Sequence, residues 1–302
     1  MAIRQVSAAR AQAISKLLEG TPYTLVGSLG AGAMGEVFVI LDELLLKRFA
    51  LKLVHEHLIE QRGVVERLHL EARAIAQLQH PHVVELVDFW VSDGTPCLVL
   101  ELLEGRSLAE ELRRVRRLPV EQAVRIGCEA LSGLAAAHAA GIVHRDIKPE
   151  NLFLDTSSAL DPAEPTVKVL DFGVARVLEP PPDLPGIGTS TGSLVGSIRY
   201  MSPEAHRAEE LDHRTDVFSV GVVVYETLVG EGPFDYERQQ LEPPSRRLGA
   251  VIPPELDAIL ARALQFEREQ RYPSAQDFLA DLMTLRPRAT TRAPWWQARS
   301  RS

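Results

Sequence analysis

Residues 144–151 read His144-Arg145-Asp146-Ile147-Lys148-Pro149-Glu150-Asn151, and twenty residues after Asn151 comes Asp171-Phe172-Gly173. These residue types suit the movement of a phosphoryl group. Charge spreads over several oxygens as such a group transfers, so a site for it positions and neutralises rather than bonding covalently. Asp and Asn supply the oxygen ligands that a hard divalent cation prefers. A further Asp can align a hydroxyl nucleophile, and an ammonium can steady the phosphate oxygens. Each motif alone is common, but the pair in this order and spacing is specific.

The pair predicts two upstream features, a glycine-rich turn and a lone Lys in a strand, and the chain has both. Gly30-Ala31-Gly32-Ala33-Met34-Gly35-Glu36-Val37 lies between the apolar runs Tyr23-Thr24-Leu25-Val26 and Val37-Phe38-Val39-Ile40. Strand signals on both sides predict a hairpin; a dinucleotide-binding fingerprint would run into a helix instead. Glycines let backbone N–H groups approach anionic oxygens closely. Taken alone, the motif is equally a plain glycine hairpin.

Lys52 sits inside Phe49-Ala50-Leu51-Lys52-Leu53-Val54, where an unpaired ammonium would be costly to bury. Two partners suggest themselves: nucleotide phosphates, and Glu71 on a helix spaced by Leu68, Ala72, Ile75 and Leu78 over residues 64–78. A solvated strand Lys and a helix-surface Glu are the competing reading of this pair.

With these residues in place, the chain resembles the bacterial eukaryotic-like (Hanks-type) Ser/Thr protein kinase catalytic domain over about residues 23–285. The resemblance implies an α+β, bilobal protein-kinase-like fold: a small antiparallel β-sheet lobe with one long helix, and a larger, mainly helical lobe. It implies ATP as phosphoryl donor with Mg²⁺, Mn²⁺ being a substitute. Lys52 would hold the α- and β-phosphates and pair with Glu71. Asp146 would orient or accept the hydroxyl proton, Lys148 would steady the γ-phosphate, and Asn151 and Asp171 would hold the metal. Lys148 at its position also looks like the Ser/Thr rather than the Tyr branch. Leu29, Gly30, Gly32 and Gly35 would cover the nucleotide, Val37, Ala50 and Phe153 would sandwich the purine, and Leu100 would be the gatekeeper. Backbone groups of Glu101 and Leu103 would bind adenine. His144 is tempting as a general base, but in this family that position is a buried packing residue.

Four further residues take structural roles by the same resemblance. Asp216 would brace the His-Arg-Asp turn from below; as a residue at the start of an apolar helix it is equally read as an N-cap. Glu204 and Arg271 would form a buried ion pair, and Ser197 would contact Asp146. Between Asp171 and Glu204 runs a segment rich in Pro, Gly, Ser and Thr, a poor candidate for regular structure. Thr189, Thr191 and Ser193 in it are candidates for activating phosphorylation, with Arg145, Arg176 and Arg67 as phosphate receivers.

The elements that must position these groups divide the chain as follows. Residues 1–20 read as an N-terminal helical extension, 21–100 as the small lobe, 101–105 as a hinge, 106–285 as the large lobe, and 286–302 as an Arg-rich, disordered tail. The chain has 302 residues, 45% hydrophobic and 25% charged, which is an ordinary globular composition long enough for two packed units. Cys97 and Cys128 give no disulfide framework and point to a reducing compartment. No stretch reaches the ~18 apolar residues of a membrane span, so the expected location is cytoplasmic. Net charge is −8, and five arginines without an acid in the tail leave the acid excess in the body, which disfavours a nucleic-acid partner. The expected partners are protein substrates with Ser/Thr acceptors, and a second copy of the chain for trans-autophosphorylation. The runner-up function is a catalytically weak or inactive scaffold with the same fold and a nucleotide site. It is disfavoured because Lys52, Glu71, Asp146, Asn151 and Asp171 are all present.

Two stretches depart from the family pattern. Leu44-Leu45-Leu46 occupies what should be a polar hairpin turn, and a local hydrophobic staple is the expected explanation. Around residues 234–253 only the short stretch 235–241 stands where relatives carry a fuller helix.

Overall fold

The computed structural model describes residues 3–32, 35–59, 64–157, 164–172, 198–235 and 240–285. Among these, the chain forms two compact units. One runs to His80 and resumes from Val84 to Glu104; the other comprises Pro81–Val83, Gly105–Phe172 and the described residues from 198 onward. Together they are α+β. No helix among the described residues is long and apolar enough to cross a membrane.

The first unit is built on five antiparallel strands: β1 (Tyr23–Ala31), β2 (Gly35–Asp42), β3 (Lys47–Val54), β4 (Leu86–Ser92) and β5 (Thr95–Glu101), in the order β1-β2-β3-β5-β4. Helices α1 (Ala8–Leu17), α2 (Glu56–Ile59) and α3 (Val64–Ala76) complete it. Side chains alternate across a strand, so paired residues share a face. Val37, Lys52 and Leu98 are register partners, as are Val39, Ala50 and Leu100; these six line one face. Phe38, Leu51 and Val99 belong to the other, with Ile40 and Phe49.

That second face is the core of the unit. Phe38, Ile40, Phe49, Leu51, Leu53, Cys97 and Val99 cluster with Ile14 and Leu18 at the end of α1. The N-terminal residues set apart as an extension therefore share the core of the sheet. Ser7 caps α1 through its side chain, and the Trp90 indole N–H donates to the Leu17 carbonyl at 3.2 Å. Arg10 pairs with Glu36 on β2 and lies over the Phe38 ring, so α1 meets the sheet with a cation as well as with Ile14.

Leu44, Leu45 and Leu46 do not form the expected staple. They are 82%, 69% and 79% exposed. The reason is local: the Asp42 carboxylate accepts from the N–H groups of Leu44 and Leu45, which fixes a tight turn and leaves nothing for the side chains to pack on.

The second unit contains β6 (Gly105–Ser107), β7 (Leu152–Asp155) and β8 (Thr166–Val169), in the order β6-β7-β8, and the pair β9 (Phe234–Asp235) and β10 (Gln240–Leu241). This two-stranded ribbon stands where the sequence offers no full helix. The helices are α4 (Leu108–Val115), α5 (Val120–Ala139), α6 (Pro203–His206), α7 (Arg214–Val229), α8 (Pro244–Leu248), α9 (Pro254–Ala263) and α10 (Ala275–Met283). Helix α7 is buried almost all round, from Thr215 through Tyr225, which explains its nearly unbroken apolar sequence. It packs on α5, which also carries α10 and β8. Gly127 on α5 permits this: a Cβ there would come within 2.8 Å of Val224 and Leu282 side-chain atoms.

Candidate active site

In the first unit the glycine-rich turn joins β1 to β2. The Gly32 N–H donates to the Gly35 carbonyl at 2.8 Å, and His55 Nε2 donates to the Gly32 carbonyl at 2.9 Å, pinning the base of the turn. Gly35 has no room for a side chain, since a Cβ would lie 2.0 Å from the Leu53 carbonyl oxygen. Gly30 has φ +148°, a conformation that side chains disfavour. Leu29 is half-buried on β1, while Ala33 and Met34 lie outside the described residues.

Lys52 is 5% exposed and shares its face of the sheet with Val37, Ala50 and Leu100. Four residues assigned to the nucleotide thus project from one side, opposite the α1-packed core. Glu71 lies on α3 between the buried Leu68, Ala72 and Ile75. Glu101 ends β5, accepts the Glu85 N–H through its carboxylate, and is followed by the half-buried Leu103.

In the second unit the loop before β7 gathers its polar groups tightly. Lys148 Nζ lies 2.8 Å from Asp146 Oδ2. The Asn151 amide donates to Asp146 Oδ2 at 3.0 Å and to the Asp146 carbonyl at 2.7 Å. Both N–H bonds of that amide are thereby committed, and its carbonyl oxygen is what it has to offer a cation. Asn151 ends the 3₁₀ turn Pro149–Asn151 and is 6% exposed. Phe153, the second residue of β7, is 4% exposed.

His144 is fully buried. Its Nε2 donates to the Leu170 carbonyl at 2.7 Å, and its Nδ1 accepts the Asp146 N–H at 3.2 Å. This fixes the neutral tautomer with the proton on Nε2. The ring also meets Phe172 edge-on at 4.7 Å. With both nitrogens committed, His144 ties the Asp146 and Asp171 stretches together and has no lone pair for a substrate.

Asp216 is at the start of α7 but does not cap it; His213 holds the N-cap position. Its carboxylate accepts from the N–H groups of His144 and Arg145, each at 2.8 Å, and from His138 Nε2 at 2.8 Å. Burial alone would raise this carboxyl, but the His138 hydrogen bond and charge, with the backbone N–H groups, hold it below the ordinary carboxylate value. Arg145 (φ 68°) and Asp171 (φ 59°) both adopt left-handed backbone, a conformation costing of order 1–3 kcal/mol that persists only where surroundings impose it. For Arg145 the imposing group is Asp216. The sequence pattern offered no sign of His138, which looks like any polar residue near the end of an apolar helix.

Glu204 and Arg271 are 3% and 2% exposed and form a two-pronged pair, both contacts at 2.6 Å. Arg271 also donates to the carbonyls of Gln265, Phe266 and Arg214, so its N–H groups are well used. Thr189, Thr191, Ser193, Ser197 and Arg176 lie outside the described residues, as does the side chain of Arg67.

A model of the family described as "Protein kinase domain" matches residues 23–296. The serine/threonine-protein kinase pkn3 of Myxococcus xanthus is 35% identical over 276 residues, covering 87% of this chain and 50% of the relative. The tyrosine-protein kinase MasK of the same species is 35% identical over 291 residues, covering 87% of this chain and 43% of the relative. The chain thus spans about half the length of the curated relatives it matches. The crystal structure of a single-site mutant of the Mycobacterium tuberculosis PknI kinase domain superposes with TM-score 0.68 at 25% identity, over 87% of this chain and 95% of that one. Glycine hairpin, buried strand lysine and Asp-Lys-Asn loop thus agree with the similarity over nearly the whole chain: it belongs to the protein kinase domain family.

Proposed function

We propose that this chain transfers the γ-phosphoryl group of ATP to Ser or Thr hydroxyls of protein substrates. The observation that carries this is the Asp146–Lys148–Asn151 arrangement, held at 2.8 to 3.0 Å around a single carboxylate oxygen. ATP with a divalent cation, Mg²⁺ or Mn²⁺, supplies the phosphoryl group and neutralises part of its charge. Asn151 and Asp171 are the oxygen donors that would hold that cation, and the donor set fits a hard metal. Asp146 aligns the acceptor hydroxyl and takes its proton. Lys148, already beside Asp146, steadies the phosphoryl oxygens. Lys52 neutralises the α- and β-phosphates, with Glu71 as its partner. Val37, Ala50, Leu100 and Phe153 would contact the base, and Glu101 and Leu103 would bind it through their backbone. Work in the cytoplasm, and autophosphorylation of Thr189, Thr191 or Ser193 by a second copy, belong to the same reading. There a phosphate would be received by Arg145, Arg176 and Arg67 and would order the segment.

The test is transfer of label from γ-labelled ATP with Mg²⁺ to the protein itself and to a generic acceptor protein. Wild type should label both, and phosphoamino-acid analysis should return Ser and Thr. Asp146→Asn and Lys52→Met should each lose about 100-fold or more. A wild type that binds nucleotide but labels nothing would instead be the inactive scaffold.

A further inference from the structure

The second unit carries a cavity of about 400 Å³ lined by residues of α4 and of the 3₁₀ turn that follows Lys148, two elements that touch each other. Pro149 and Glu150 line it directly after Lys148. Leu112, Arg113 and Arg116 line it from α4 and the residues just after it, together with Tyr200 and Glu226. Its walls are charged, and the charges are arranged unevenly.

Residues 113–117 contain four arginines in a chain whose overall charge is −8. Arg114 is satisfied by Glu111, 2.6 Å away. Arg113 and Arg116, the two that line the cavity, are exposed and have no acidic partner among the described residues. A helix end gains from a cation, but Arg114 already provides one, and Arg116 lies past the last turn with φ 64°.

The second carboxylate of the cavity, Glu226, is already engaged. Arg199 donates to its Oε1 at 3.0 Å, and the Tyr200 hydroxyl donates to its Oε2. The glutamate side chain is only 12% exposed. A substrate cation entering here would have to displace the chain's own guanidinium. Glu150 also lines the cavity and is exposed, but with Glu226 paired to Arg199 the two arginines outnumber it and leave the lining net positive.

Resting on the kinase reading above, we propose that this cavity receives an acidic or phosphorylated side chain of the protein substrate on Arg113 and Arg116, and that the Arg199–Glu226–Tyr200 cluster closes it to basic side chains. Two guanidiniums without carboxylate partners among the described residues can each give a carboxylate or phosphate a charge-assisted hydrogen bond, and Arg suits such oxyanions by its planar fork.

The experiment uses peptides with one Ser acceptor, identical but for a single flanking position that carries Asp, phosphoserine, Ala or Arg and is scanned along the peptide. Wild type should phosphorylate the best Asp or phosphoserine peptide with a kcat/KM about tenfold or more above its Ala counterpart, mostly through KM. In Arg113→Ala/Arg116→Ala that ratio should fall to about one, while kcat on the Ala peptide and the thermal midpoint stay unchanged, because both side chains are exposed. Arg199→Ala should raise kcat/KM for the Arg peptide. An unchanged ratio in the double variant, or wild-type preference for Arg peptides, overturns the proposal. So does an effect seen only with autophosphorylated and not with phosphatase-treated protein, which would make the chain's own phosphate the occupant. If no peptide is phosphorylated although ATP binds, the kinase reading fails separately. Fluorescence anisotropy with the same peptides then still decides the cavity: anionic peptides must bind wild type more tightly than the double variant.

Discussion

The backbone N–H of Arg145 donates to Oδ1 of Asp216 at 2.8 Å, across 71 residues of sequence. The same carboxylate takes the His144 N–H on its other oxygen. A buried anion at the start of α7 thus sets the left-handed turn that aims Asp146, and α7 is itself locked in the centre of the helical unit.

Asp216→Ala removes an acceptor from two backbone N–H groups and from His138, all in a dry setting. Stranding buried donors costs about 1–3 kcal/mol each, so the variant should lose about 3 kcal/mol or more in urea unfolding. Peptide phosphorylation should fall with the loss of Asp146 aim. Asp216→Asn keeps an acceptor for only part of the set and should fall between. An Asp216→Ala variant with wild-type stability and activity contradicts the bracing role.

Breaking the Glu204–Arg271 pair on one side should cost about 3–5 kcal/mol, since it leaves a buried charge alone. The pH dependence follows from the carboxyl. Burial pushes it up, but Arg271 outweighs that and holds it below its usual 4.5. Its stabilisation is therefore full above that value and is lost as pH falls through the lower folded value. Wild type should lose stability as pH falls below 4.5 more steeply than Glu204→Gln, as read by thermal melts at descending pH. Equal slopes would remove Glu204 from the acid response.

Ile14 is completely buried against the sheet. Ile14→Ala should destabilise by about 2–5 kcal/mol, as for other large-to-small core changes. Replacing Leu44, Leu45 and Leu46 together by Ser should change stability by less than about 0.5 kcal/mol per site, because they are exposed. Thermal unfolding of both variants checks the contrast, and a costly triple variant would mean that the leucines are covered in solution.

Cys97 is fully buried, and burial pushes its thiol up to about 12. Neutral-pH thiolate is therefore scarce there, and Cys128 is buried as well. A thiol reagent at about neutral pH should label neither in the native protein and both after denaturation. Rapid native labelling would show that the core around β5 opens.

Local pattern was enough to read the strand around Lys52, because Phe49 to Val54 is a short, nearly unbroken apolar run, and such a run marks a strand buried on both faces. It was enough for the glycine hairpin, whose glycines lie between two apolar runs, and for α1 and α5, which are closed by turn residues. The gathering of Asp146, Lys148 and Asn151 was equally local, since all three lie within six residues and a single 3₁₀ turn brings them together. The pairs of Asp216 with the His144-Arg145 turn and of Glu204 with Arg271 were legible only through family resemblance, because partners about 70 residues apart leave no periodic trace.

Other features belonged to the packed chain alone. His138 meets Asp216 only because α5 lies against α7; Arg10 meets Glu36 only because α1 covers the sheet; Arg199 and Tyr200 meet Glu226 only because the stretch before α6 crosses the end of α7. The exposure of Leu44, Leu45 and Leu46 turned on one Asp42 carboxylate. Residue types and short-range spacing determine which strands and turns form and which chemistry they can carry. Which charges find partners and which remain open to a substrate depends on how helices pack, because a charge is neutralised by distance in space and not by distance along the chain.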